Sequence, residues 1–198
     1  MQTTSAPRYN TDFHPTVGKT EALAPGIKRI VAPNPSAYTF TGTNTYIVGF
    51  DDVIVVDPGP DDDAHMANIV STIGGANCKG VVLTHTHNDH AALAEKLAKT
   101  LTVPLIFEGP HRPSRKIGRF ERDHIRPSCN YEIRPNLVVR DNSKIDLGEL
   151  QVTVLTTPGH CANHIALAID GTDIVLSGDH IMGWSSTLIA DPDGSLDD

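Results

Sequence analysis

Between Thr84 and Ala91 the chain carries four side chains that bind metals well. His85, His87, Asp89 and His90 place three histidines and one aspartate within six residues. Neutral imidazole and carboxylate suit a divalent ion such as zinc, with ligand atoms about 2.0–2.2 Å from the metal. One histidine alone would mean little, since most are surface residues or hydrogen-bonded core residues. The density is what points to a site. The flanking residues say how the group is held. Gly80-Val81-Val82-Leu83 reads as a short buried strand. From Asp89 or His90 to Lys99 the residues are good helix formers, with apolar positions at helical spacing. The four side chains therefore fall in a strand-to-helix turn anchored at both ends, which can converge them on one point.

Three further stretches end strands with chemistry-bearing residues. Val53 to Val56 runs into Asp57-Pro58-Gly59-Pro60, where Asp57 by local pattern alone is a turn residue. Leu150 to Leu155 leads to Thr156-Thr157-Pro158-Gly159-His160. Proline stiffens that approach and glycine lets the backbone turn. Ile174 to Leu176 leads to Ser177-Gly178-Asp179-His180.

The order His-x-His-x-Asp-His, followed by Thr-Pro-Gly-His and then Gly-Asp, resembles the signature of the metallo-β-lactamase superfamily. The likeness covers about residues 27–191. The turn at Asn44, the Thr-Pro-Gly-His-x-x-x-His spacing and the run Gly-Asp-x-Ile-x-Gly look closest to its lactamase-beta-like branch. The resemblance implies that His85, His87 and His160 bind a first metal, that Asp89 and His90 bind a second, and that Asp179 bridges the two. It implies up to two zinc ions per chain, with iron or manganese as alternatives. Metals about 3.5–4 Å apart can share a hydroxide and supply it as nucleophile near neutral pH. Asp89 would carry a proton to the leaving group as the catalytic acid. Asp57 would brace the metal-binding loop, with His164 and His180 beside the ligands or facing substrate. Asn44 and Trp184 are expected to face substrate. Trp184 would line an apolar pocket or stack on a base.

The elements that must position these residues are strand-rich, then helical, then strand-rich again. Strands are expected at Ile27 to Ala32, Thr45 to Phe50, Val103 to Phe107, Leu137 to Arg140, Ile145 to Leu147 and His164 to Ile169, with a helix from Asp61 to Ile73. Acidic residues at Asp61, Asp62 and Asp63 suit a helix start, and His65 on that helix is expected to be exposed. Pattern alone gives mixed α and β, largely antiparallel. The four-layer αββα sandwich comes from the resemblance. Residues 1–24 read as a loose extension and 25–198 as the domain.

Residues 108–136 stand apart, with Arg112, Arg115, Lys116, Arg119, Arg122 and Arg126 interleaved with prolines. They read as a solvated surface insertion or, functionally, as a basic lid over an anionic substrate such as RNA or a phosphorylated metabolite. His111 and His124 in this stretch lack ligand-like spacing and are left out of the site.

At 198 residues, 39% hydrophobic and 20% charged, the chain suits one folded domain rather than a disordered segment. A net charge of -8 argues against a general nucleic-acid coat. Cys78, Cys129 and Cys161 are too few and too scattered for a disulfide framework, which favours a reducing, cytoplasmic setting. No apolar run is long enough for a membrane span, and the first residues lack the apolar core of an export signal. The oligomeric state is left open, with a homodimer among the choices.

The superfamily usually adds one more histidine to the second metal, late in the chain, and no such motif occurs here. The chain ends at Ser195-Leu196-Asp197-Asp198, a pattern that suits a helix N-terminus. The expectation is a chain truncated relative to a longer protein, with the last helix or strand of the sandwich missing. The leading expectation is thus a metal-dependent hydrolase acting on a phosphodiester (RNA included) or on an ester or thioester. A glyoxalase-II-like thioesterase acting on acyl-glutathione is the alternative, ahead of a β-lactamase and a one-iron sulfur dioxygenase. A non-catalytic, metal-stabilised scaffold is the alternative of another class.

Overall fold

A computed structural model describes residues 8–198. Eleven strands form two sheets among these residues. β1 (Thr20–Ala24), β2 (Ile27–Val31), β3 (Asn44–Gly49), β4 (Asp52–Val56), β5 (Asn77–Val82), β6 (Leu105–Phe107) and β7 (Leu137–Val138) form the larger sheet in chain order. β8 (Lys144–Asp146), β9 (Gln151–Thr156), β10 (Ile165–Ile169) and β11 (Val175–Leu176) form the smaller, antiparallel sheet. Three helices, α1 (Asp63–Ile73), α2 (Asn88–Ala91) and α3 (Ala94–Leu101), belong with the larger sheet.

Alternation along the strands builds two cores. On β4, Val53 and Val55 face the helices, where they meet Ile69 and Ile73 of α1 and Leu97 of α3. Ile54 and Val56 face the other way and meet Val152 and Val154 of β9 and Ile165 and Leu167 of β10. A strand buried on both faces reads as a continuous apolar run, as Val53 to Val56 does. Helices, large sheet and small sheet thus make three layers of an αββα sandwich. Among the described residues no helix lies on the outer face of the small sheet.

Among the described residues six of the nine strand pairings are antiparallel, as expected. β4 to β7 run parallel, joined by α1, then by α2 with α3, and then by the 108–136 stretch. Two expectations are corrected. Part of the supposed N-terminal extension is a strand, since β1 pairs with β2; residues 1–7 of it lie outside the described residues. His65 is buried, not exposed. Its Nε2 lies 2.9 Å from Thr45 Oγ1, and burial pulls its pKa below the ordinary value. Its backbone N–H donates to the Asp62 carboxylate, which caps α1.

The parallel half places the functional loops. β4 and β5 run side by side in one direction, so Asp57 and the stretch Leu83–His90 leave the sheet at the same edge. In open α/β sheets that carboxyl edge is where ligands bind. The small sheet is joined to the same edge: Ile165 N donates to Thr84 O at 2.8 Å, at the start of β10. The loops after β9 and β11 therefore end above the same rim. No helix among the described residues is long and apolar enough to cross a membrane.

Candidate metal centre

Asp57 is the brace at the base of the site. It is buried, with a positive φ of 50° that turns the chain sharply after β4. Its Oδ1 accepts from Thr84 N at 2.8 Å, and its Oδ2 accepts from Thr84 Oγ1 at 2.7 Å and from His90 Nδ1 at 2.9 Å. One carboxylate thus ties both ends of the histidine turn to β4. With its Nδ1–H held by Asp57, His90 presents Nε2 to the other side.

Three ring nitrogens converge beside it. His87 Nδ1 lies 3.1 Å from His85 Nε2 and 3.0 Å from His160 Nε2. Zinc bound tetrahedrally at about 2.0–2.1 Å would set such nitrogens about 3.3 Å apart, so the cluster is close to ready-made. Each outward nitrogen is fastened. His85 Nδ1 is 3.0 Å from Thr84 Oγ1, His87 Nε2 is 2.9 Å from Asp193 Oδ2, and His160 Nδ1 donates to Leu188 O at 2.6 Å. Three inward donors with anchored backs fit a divalent metal.

A second group uses carboxylates. Asp179 Oδ1 is 3.3 Å from His90 Nε2, while its Oδ2 is 3.7 Å from His160 Nε2, so one carboxylate faces both groups. Asp89 Oδ2 is 3.6 Å from His90 Nε2. His85, His90 and Asp179 form one convergent donor set, and His85, His87 and His160 form another. Gly178 lets Asp179 come this close. Its φ is 52°, and a Cβ there would lie 2.6 Å from His164 Nε2 and 2.9 Å from Thr84.

Charge separates the groups. Burial first, and then the neighbouring histidines, push the pKa of His85 well below the ordinary value; burial also lowers His160. Burial opposes the charge on His90, but Asp179, Asp89 and Asp57 outweigh it and raise its pKa well above the ordinary value. Burial would raise Asp179, yet His90 and the other histidines hold its carboxyl well below the usual carboxylate range.

The remaining expected residues are placed as follows. His164 is buried, with Nδ1 2.8 Å from Thr157 Oγ1 and Nε2 accepting from Asp179 N at 3.2 Å, so it positions Asp179 through the backbone. His180 belongs to neither donor set; its ring lies 5.9 Å from that of His164, and its buried Nδ1 has no hydrogen-bond partner. Asn44 opens β3 rather than a turn, and lines a polar pocket with Asp57, Asp89, His90, Asp179 and Trp184. Trp184 stacks on Phe40, centroids 5.4 Å apart. A larger cleft of about 540 Å³ opens over His87, Asp89, His160 and Asp179, with Tyr38, Ile125, Pro127, Met182 and Leu188 on its walls.

Sequence reasoning left out His111, His124 and Asp193. His124 lines the cleft. His111 and Asp193 are buried directly behind His87. The 108–136 stretch forms one wall of the cleft, but two of its arginines are turned to acids of the chain. Arg112 pairs with Glu108, and Arg115 with Glu121 and Asp191.

The family profile described as the metallo-beta-lactamase superfamily matches residues 38–198, and the chain belongs to that superfamily. A "Beta-lactamase-like protein 2 homolog" of Drosophila melanogaster is 30% identical over 175 residues, covering 85% of this chain and 57% of the relative. An "Atrochrysone carboxyl ACP thioesterase" of Pseudocercospora fijiensis is 29% identical over 181 residues, covering 89% of this chain and 48% of the relative. Among solved structures, a beta-lactamase domain protein from Burkholderia ambifaria matches with a TM-score of 0.66 at 22% identity, covering 92% of this chain and 62% of that one. The chain spans about half the length of the curated relatives it matches.

Proposed function

We propose that this chain is the metal-binding part of a hydrolase that uses two divalent metals, zinc first among them, to cleave an acyl ester or thioester. The observation that carries the reading is the pair of donor sets that share His85 and are joined through the two oxygens of Asp179. His85, His87 and His160 would hold the first metal, and Asp89, His90 and Asp179 the second. Bound there, divalent metals supply Lewis acidity and a nucleophile at neutral pH.

The chain's own residues supply the rest. Asp57, Thr84, Leu188 and Asp193 fix which nitrogen each histidine presents. Asp89, the most exposed of the six donors, borders both the polar pocket and the cleft. It is placed to return a proton to the departing atom. The apolar walls of Ile125, Pro127, Met182 and Leu188 would take an acyl chain and exclude water from the reacting carbonyl. The thioesterase named among the relatives supports this choice of substrate class.

A phosphodiester, RNA included, is the second reading. Trp184 and Phe40 stacked beside the polar pocket offer a face on which a base could lie. A simple acyl thioester and an activated phosphodiester, each assayed with and without chelator and after zinc is restored, decide between them. Chelator-sensitive thioester turnover is expected. Turnover of the phosphodiester alone would move the assignment to the second reading. Turnover of neither, with metal bound, would favour a metal-stabilised scaffold.

A further inference from the structure

Behind His87 lies a row of buried polar groups whose proton directions can be worked out. Asn163 Nδ2 donates to Gly109 O at 2.9 Å, and a carbonyl can only accept. That fixes which way the Asn163 amide points. The same Nδ2 donates to Thr86 Oγ1 at 2.8 Å. The other end of the amide, Oδ1, receives Cys161 Sγ at 3.3 Å. Thr86, accepting from Asn163, has its own proton free for His111 Nδ1, 2.9 Å away. A neutral imidazole has one N–H, so His111 then carries it on Nε2. That nitrogen lies 2.6 Å from Asp193 Oδ1 as a buried ion-pair contact, and neither atom has a well-directed hydrogen-bond partner. Asp193 Oδ2 faces His87 Nε2 at 2.9 Å. His111 and Asp193 side chains are fully buried, so no solvent can supply an alternative partner.

We propose that Asn163, Thr86 and His111 form a one-way hydrogen-bond chain that ends against the Asp193 carboxylate, and that Asp193 so held fixes the proton of His87 on Nε2 and keeps its Nδ1 open for metal. His111 and Asp193 are positioning residues in this scheme, because Asp193 touches the ligand and His111 acts through Asp193. The chain joins four separated parts of the sequence: the loop before β10, the histidine turn, the start of the 108–136 stretch and the last turn before Ser195. Docking of that stretch and of Asp193 is thereby coupled to the chemistry of one ligand atom. The inference rests on the reading of His87 as a metal ligand, but its core, the tautomer of His87, can be measured without metal.

Long-range ¹⁵N–¹H spectra of the metal-free protein report the tautomer directly. The expected result is His87 and His111 both protonated on Nε2. His87 protonated on Nδ1 would overturn the proposal, whatever the protein binds. Zinc affinity is then measured by chelator competition for two variants. His111→Phe removes both polar atoms and should weaken zinc binding by about tenfold, the scale found for outer partners of metal ligands. His111→Gln keeps one donor and one acceptor and should stay within about threefold of the unsubstituted protein. Equal affinities for both variants would refute the chain. If the Phe variant fails to fold, Asn163→Asp serves instead. Its carboxylate cannot donate to Thr86, so the His111 tautomer should invert and zinc binding should weaken. An unchanged tautomer and affinity would again refute the proposal. Absence of zinc binding by the unsubstituted protein, with the expected tautomers, would remove the metal reading and leave the hydrogen-bond chain standing.

Discussion

The two donor groups share a histidine and a rim of the fold, yet they are built to different standards. In the nitrogen group every ring has its outer atom tied down, by Thr84, Asp193 and the Leu188 carbonyl. In the carboxylate group, apart from the shared His85, only His90 is held in this way, by Asp57. Asp179 is placed through its backbone, and the Asp89 side chain is 29% exposed. The first group is preorganised before any metal arrives. The second must gather a more exposed acid around a charged histidine. Affinity and pH dependence should differ accordingly.

The largest effect should follow loss of a first-group ligand. His160→Ala is expected to weaken the tighter zinc by about a hundredfold or more, exceeding what outer partners contribute. Chelator competition reads it, and a loss below tenfold would mean that the group is not the tighter site. Next comes the brace. Asp57→Ala strips a buried carboxylate from His90 and from two donors of Thr84. Breaking such a buried pair costs about 3–5 kcal/mol, so urea unfolding of the metal-free variant should show a loss of that order. A loss under 1 kcal/mol would show that Asp57 is not the anchor of the turn.

Asp89→Ala should separate the groups. The second metal should be lost or weakened about tenfold, while the first is retained. Loss of both metals would show that the groups are not independent. The smallest expected effect is one of order with pH. The proton on His90 is held more tightly than on an ordinary histidine, because the surrounding aspartates outweigh burial. Protons on His85 and His160 are held less tightly, through burial. As pH falls from 8, proton competition therefore begins in the second group, and its metal should leave first. In metal-free protein the sign reverses for stability. The raised folded pKa of His90 contributes stability that is fully present below about 6.5 and is lost as pH rises through the folded value. Metal content and unfolding midpoints across pH check the two statements.

How much of this was legible in the sequence depended on distance along the chain. His85, His87, Asp89 and His90 are contiguous, so their density announced a site, and motif likeness brought in His160, Asp179 and Asp57. The strands with apolar runs were legible because both their faces are buried. β1 was missed because its burial pattern is almost wholly exposed, so it carries no apolar run. His65 was misread because its partner, Thr45, is 20 residues away on β3. His111 and Asp193 gave no signal at all. Asp193 reaches His87 across 106 residues, and nothing local distinguishes it from a turn aspartate. A lone histidine in a proline-rich stretch looks like surface until the fold buries it.

Native mass spectrometry of the metal-free chain across a zinc titration tests the central claim most directly. The account predicts two zinc ions bound in separate steps, the first much tighter than the second, with Asp89→Ala retaining only the first. No bound zinc, or two ions lost together in that variant, would contradict it.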